Sequence, residues 1–156
     1  MIKQLVALTV QADGRYATSE ELQFIKDYLG SVDTRIKTYR KIRDNEERII
    51  HRVEAEKRGL NEGLFKLGNS DCTWICQRDM SMVIRCINAD MLINDMQRLR
   101  EGMLVWYETI VRAFAYKRYS VRTYKILQDV MQQHLEPEEA ELVMPSLKLT
   151  ESLLTQ

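Results

Sequence analysis

Cys76-Gln77-Arg78-Asp79 places a thiol, a guanidinium and a carboxylate within about one turn of a segment that reads as an apolar helix. A thiol can anchor a ligand covalently, a carboxylate can accept hydrogen bonds from it, and a guanidinium can pair with an acidic arm. At about 100° per residue, Cys72, Asp79, Met80, Val83 and Ile87 lie within about 60° of the Cys76 direction. Arg85 lies about 180° away, on the opposite face. A carboxylate on an otherwise apolar face must be paired or hydrogen-bonded. Two readings of Asp79 stay open on the pattern alone. It is a cap or internal salt bridge held by Arg78 or a neighbouring helix, with Cys76 a small buried hydrophobe. Alternatively, it is a ligand acceptor beside an anchoring thiol.

No other stretch offers chemistry. The chain has no glycine-rich phosphate loop and no nucleophile with a sequence-local base, so no enzymatic activity is expected. Cys72 and Cys76 stand one helical turn apart, but His51 and His134 are distant in sequence, and no metal site is expected. An odd number of cysteines, Cys72, Cys76 and Cys86, fits a reducing compartment. Lys plus Arg and Asp plus Glu balance at 23 each, which gives no argument for nucleic acid as a partner. No run approaches the ~18 apolar residues of a membrane span, and the N-terminus lacks the apolar core of a signal peptide.

The elements that must position these residues are helical. At 156 residues the chain suits one domain, and almost every segment carries a helical period while none alternates like a strand. A short amphipathic helix over Lys3 to Ala12 is interrupted by Asp13-Gly14-Arg15-Tyr16. Thr18 to Glu21 has capping-box spacing and opens a helix expected to end near Gly30. Asp33 is the next expected cap, starting a long helix to about Gly59 with Ile36, Ile42, Ile49, Ile50 and Val53 as its apolar stripe. Its many charges read as a solvated face. Gly59, Gly63 and Gly68 bracket a loop, and the central helix runs from about Cys72 to Met91, with a break and cap at Asn94-Asp95. A helix through Leu99 to Phe114 follows, then a last long helix capped by Ser120. Both prolines fall in a tail, residues 136–156, where Glu138 to Met144 is expected to form a turn or two of helix. That tail reads as a docking segment or as a strap against the domain.

Cys76-Gln77-Arg78-Asp79-Met80 followed by Ile84-Arg85 resembles the Cys-x-Arg-Asp-Met stretch of phycobiliproteins, the bilin-carrying subunits of the cyanobacterial light-harvesting antenna. Allophycocyanin-type subunits look most similar. Other blocks agree in order: Asp13-Gly14-Arg15-Tyr16 before Glu20-Glu21-Leu22, Leu64-Phe65 before Gly68-Asn69, and Trp106-Tyr107-Glu108-Thr109. The likeness covers roughly residues 1 to 133 and leaves the tail unmatched. It implies an all-α, globin-like domain over residues 1–135, with a helical hairpin at 1–31 that docks onto a partner subunit. It also implies a phycocyanobilin-type linear tetrapyrrole joined by a thioether to Cys76. Asp79 would accept from the two central pyrrole N–H groups, and Arg78 would pair with a propionate. Arg85 matches the arginine that meets an aspartate of the partner chain, Asp13 matches that aspartate, and Tyr16 belongs to the same contact. The partner would be a phycobiliprotein-like subunit or a second copy, with phycobilisome core or linker proteins beyond it. The expected location is the cytoplasmic side of the thylakoid membrane.

This sequence departs from the family's pattern. Between Asn69 and Cys76 it is a few residues shorter and lacks the basic residues usual there. Met80-Ser81-Met82 and Cys86-Ile87-Asn88-Ala89 stand where acidic and aromatic residues are usual. The chain reads as a divergent relative, and a pigment-free interaction or regulatory role in antenna assembly, docking or turnover is the alternative function.

Overall fold

The structure, a computed structural model, describes residues 1–67 and 69–155. α1 (Ile2–Gln11) buries none of its residues; Ile2, Val6 and Val10 face solvent. It meets the body at its start, where the Met1 amino group donates to the Asn94 carbonyl (2.5 Å) and Lys3 pairs with Glu101 (3.2 Å). The turn that follows contains Gly14 at φ +73, a conformation that favours glycine. Thr18 and Glu21 exchange the hydrogen bonds of a capping box, at 2.8 and 3.3 Å, and Arg15 pairs with Glu21 at 2.7 Å.

α2 (Gln23–Asp44) corrects the first sequence expectation, because it runs unbroken through Gly30 and Asp33. A helical glycine costs only about 1 kcal/mol relative to alanine. Here the residues on both sides of it grip one partner. Tyr28 donates to the Leu92 carbonyl (2.9 Å), and Arg35, itself buried, donates to Ser31 Oγ (2.9 Å) and to the Met91 carbonyl. The break falls instead at Asn45, whose side chain donates back to the Lys41 carbonyl (2.8 Å), and α3 spans Glu46–Leu60. Leu29 and Ile36 are exposed, and the stripe is carried by Ile42, Ile49, Ile50 and Val53.

A 3-10 turn (Glu62–Phe65) leads to a two-residue hairpin that the helical reading left out. In it β1 (Lys66–Leu67) is antiparallel to β2 (Ser70–Asp71), with Lys66 opposite Asp71. Gly68, read as part of this loop, lies outside the described residues. α4 (Thr73–Ile93) is the central helix and ends at Asn94, which takes the left-handed conformation at φ 54. Asp95 then caps α5 (Met96–Leu99), accepting from the Arg98 N–H at 3.1 Å. One wide turn of π-helix (Arg100–Leu104) joins α5 to α6 (Val105–Ala113). The extra residue in that turn lets Leu99, Met103, Leu104, Tyr107 and Val111 all face the core.

α7 (Lys117–His134) starts ahead of Ser120, which sits inside the helix. The expected tail is α8 (Pro137–Leu154), a full helix. Pro137 occupies the first turn, where its missing N–H is harmless, and Glu136 and Glu139 form a capping box around it. Val143, Leu147 and Leu154 of α8 belong to the same buried cluster as Val83, Ile87 and Leu127. Those three residues are spent inside the domain, as a strap would spend them, while Leu142, Met144, Leu149 and Leu153 are partly buried against it. The architecture is all-α and globin-like, with α4 enclosed by α2, α3 and α8. Among the described residues no helix is long and apolar enough to cross a membrane.

Candidate functional site

The N-terminal half of α4 forms one wall of a cleft closed by α3, the β1–β2 hairpin, α6 and α7. Cys72, just before α4, and Cys76, Asp79 and Met80 on it line the cleft, and Phe65, Tyr107, Tyr116 and Tyr124 supply aromatic walls. The hairpin is hung over the cleft by two bonds: the Cys72 N–H donates to the Phe65 carbonyl (2.7 Å), and the Tyr119 hydroxyl donates to the Lys66 carbonyl (2.9 Å). The cleft is narrow, with a cavity volume of about 50 Å³, below the roughly 300–1,000 Å³ of small-molecule sites.

Of the expected site residues, Cys76 and Asp79 meet in this cleft. Asp79 is 17% exposed and its two oxygens are already engaged. Arg78 donates twice to Oδ1, at 2.7 and 2.9 Å, and the Tyr107 hydroxyl donates to Oδ2 at 3.1 Å. Behind Tyr107 stands fully buried Tyr124, whose hydroxyl donates to that of Tyr107, so two phenols in series end on the carboxylate. Burial drives the ionisation of both well above the usual tyrosine range, with Asp79 reinforcing it for Tyr107 and Tyr107 for Tyr124. Arg78 leaves the cleft: it lies across the Trp74 ring, 5.4 Å from its centroid, with its own side chain 64% exposed.

The sequence reading missed Lys57. It was assigned to a solvated helix face, yet it is 1% exposed and lines the cleft. Its Nζ lies 3.8 Å from Cys76 Sγ and 4.4 Å from the centre of the Phe65 ring. Burial pulls the Lys57 ammonium below its ordinary range, with Cys76 opposing that shift. Burial likewise pushes the Cys76 thiol up, with Lys57 opposing. The stripe Ile49, Val53 continues at the same spacing of four to Lys57, a signal that the residue type obscured. Tyr107 and Tyr124 gave no such signal, because their meeting depends on how α6 packs against α7.

The expected partner residues lie elsewhere. Asp13 and Tyr16 sit in the turn after α1, and Tyr16 is 99% exposed. Arg85 lies on the face of α4 away from the cleft, beside the α2–α3 junction, and is 72% exposed. It is not idle: Glu46 of α3 holds it at 2.9 to 3.0 Å and also accepts from Ser81. The helical-wheel separation of the two faces is therefore present in the fold.

The family model described as phycobilisome protein matches residues 6–153. This chain belongs to the phycobilisome protein family. The match extends past residue 133, where the likeness read from motifs stops, and takes in nearly all of α8. No curated protein matches the chain. Phycobilisome proteins are light-harvesting proteins that generally bind linear tetrapyrroles through cysteine and assemble with partner subunits. The donor set of this cleft fits such a group: a half-buried thiol, a carboxylate one turn along, aromatic walls, and cations at Lys66 on the rim and Arg78 outside.

Proposed function

We propose that this phycobilisome protein carries a phycocyanobilin-type linear tetrapyrrole on Cys76 and serves light harvesting or energy transfer in the antenna. The observation that carries the reading is the meeting of the Cys76 thiol and the Asp79 carboxylate in one aromatic-walled cleft. The pigment, when bound, supplies the conjugated system that absorbs light. Cys76 holds it by a thioether to ring A, and Asp79 turns its carboxylate toward the two central pyrrole N–H groups. The exposed guanidinium of Arg78 takes a propionate, and Lys66 at the rim offers a cation in place of the basic residues missing after Asn69. The tyrosine walls favour one extended conformer and so restrain torsional decay of the excited state.

Partner docking uses the other side of the molecule. The exposed apolar residues Val6 and Val10, with Asp13 and Tyr16, form one contact region and Arg85 another. The partner is a phycobiliprotein-like subunit or a second copy, attached through core or linker proteins to the cytoplasmic side of the thylakoid.

Co-expression with bilin-synthesis and lyase enzymes tests the pigment. The expected product is coloured and keeps its colour in denaturant. Cys76→Ala abolishes the colour and Cys72→Ala preserves it. A colourless product under conditions that load a standard allophycocyanin subunit would overturn the reading. One observation favours the alternative, a pigment-free interaction module: Asp79 is already satisfied within the chain by Arg78 and Tyr107. The fold therefore does not need a ligand to compensate that carboxylate.

A further inference from the structure

Lys57 is the most deeply buried cation described in this protein, at 1% exposure, and it has no carboxylate within ion-pair distance among the described residues. A buried ammonium with no anion is costly, so the group either gives up its proton or finds a negative partner. The partner on the page is Cys76 Sγ at 3.8 Å. The groups facing the pair from each packed element are few. α3 contributes Glu54 and Arg58, α4 and the residue before it contribute Asp79 and Cys72, and the hairpin contributes Lys66 at the rim. α6 and α7 contribute the phenols Tyr107 and Tyr124, and Tyr116 stands just before α7. Glu54 is turned to Gln77 and His51, at 3.0 and 3.5 Å, while Asp79 is held by Arg78 and Tyr107. Both Glu54 contacts fall on Oε2, while its Oε1 is buried without a hydrogen-bond partner among the described residues; Glu54 favours the Lys57 ammonium through space, but neither carboxylate comes within ion-pair distance of Lys57. Thiol and amine are left to settle one proton between them.

We infer that Lys57 and Cys76 form a base–nucleophile pair, in which Lys57 Nζ takes the proton of the Cys76 thiol when it attacks a conjugated electrophile held in the cleft. The thiolate is the reactive form of cysteine, and a neighbouring desolvated lysine is one way to generate it at neutral pH. Burial acts in the same direction on both members, lowering the basicity of Lys57 and the acidity of Cys76, so the two proton affinities approach each other. The pair rests on the pigment reading only for the identity of its electrophile. Addition to a tetrapyrrole double bond forms one S–C bond and consumes one C=C π bond. The thiol proton passes to Lys57 and from there to the pigment, and nothing is oxidised or reduced overall. Cys86 is the natural contrast: it is also partly buried and its thiol is also pushed up by burial, but its charged neighbour is Arg98, which cannot take a proton.

The test is the pH profile of alkylation by iodoacetamide, resolved by peptide mass spectrometry so that Cys76 and Cys86 are followed in one sample. The variants are Lys57→Met, which fills the same buried space without charge, and Lys57→Arg, which keeps the charge and cannot act as a base. At neutral pH, Lys57→Met is expected to slow Cys76 by roughly tenfold or more, equivalent to a shift of about one pKa unit, and to leave Cys86 unchanged. Lys57→Arg keeps an electrostatic pull on the thiolate but loses the base, so its Cys76 profile becomes that of a lone thiol, with a single pH inflection. Far-UV circular dichroism establishes that each variant is folded. A Cys76 profile in Lys57→Met that superimposes on the parent overturns the inference, as does equal slowing of Cys86. The same proteins are then co-expressed with bilin-synthesis and lyase enzymes under conditions that load a standard allophycocyanin subunit. Lys57-dependent alkylation without a denaturant-stable pigment adduct would remove the pigment reading and leave the base–nucleophile pair standing.

Discussion

Replacing Glu139 by glutamine tests whether charge locks the C-terminal helix to α2. The carboxylate is 1% exposed, accepts from Lys41 at 2.8 Å and from the Glu136 N–H at 3.0 Å, and lies 3.1 Å from Lys37. Burial by itself would raise its pKa, but Lys41, the Glu136 amide and Lys37 outweigh burial and hold it at about 2, against 4.5 ordinarily. A folded pKa below the unfolded one means stability that is complete above about pH 4.5 and is lost as pH falls toward 2. The gap converts to roughly 3 kcal/mol. Because the Lys37 side chain is 69% exposed, solvent screens part of that, and about 2 kcal/mol is the expected contribution. Urea unfolding of the parent and Glu139→Gln, followed by circular dichroism, should differ by that amount at neutral pH. The difference should shrink steadily as the pH is lowered through the 4.5 to 2 window. A difference that stays constant with pH, or one below about 0.5 kcal/mol at neutral pH, refutes the electrostatic account of how α8 is held.

Three further outcomes follow from the geometry. Tyr107→Phe leaves Asp79 Oδ2 without its 3.1 Å donor and leaves the Tyr124 hydroxyl without its acceptor; a loss of about 1–2 kcal/mol is expected, and an unmoved denaturation midpoint would show that the phenol chain carries no stability. Ala115 holds a φ of 54 between α6 and α7, so Ala115→Gly should raise stability by about 1 kcal/mol, and a fall in melting temperature would contradict the strain assignment. Charge reversal at Asp13 or Arg85 should weaken association measured by sedimentation velocity; Arg85→Glu also disrupts the ion pair with Glu46, so Asp13→Arg is the cleaner probe, and unchanged sedimentation in both would remove the interface assignment.

The sequence exposed the parts of this fold that depend on local period and local chemistry. The α4 wheel is one: Met80, Val83 and Ile87 are buried, Cys76 and Asp79 line the cleft, and Arg85 lies outward. The break at Asn94-Asp95 is another, since a left-handed Asn and a capping Asp act through their own backbone. Features set by distant partners were not legible. Gly30 looks like a terminator until Tyr28 and Arg35 are seen gripping the end of α4. Pro145 looks like a tail residue, yet it sits inside α8, where the packing of Val143 and Leu147 offsets the missing hydrogen bond. Lys57 and Glu54 were read as solvent-facing because of their type, although their positions continue the apolar stripe.

Arg35 shows how the two sides of the molecule are joined. The last carbonyls of α4 have no partners within the helix, and each must be satisfied from elsewhere. Asp90 O receives the Asn94 and Asp95 amides, Met91 O receives Arg35, and Leu92 O receives the Tyr28 hydroxyl. The helix that carries Cys76 near its start is thus fastened at its far end by the helix that leads away from the Asp13–Tyr16 turn. Arg35→Met keeps most of the buried volume and removes the donors, leaving the Met91 carbonyl buried and unpaired at a cost of about 2 kcal/mol. Hydrogen exchange should then quicken in the last turn of α4 while the amides around Cys76 keep their protection. Uniform acceleration along α4 would mean that Arg35 supports the whole fold and not its junction with α2. Unchanged exchange at residues 94 and 95, whose N–H groups close that turn onto Asp90, would mean that the junction does not depend on it.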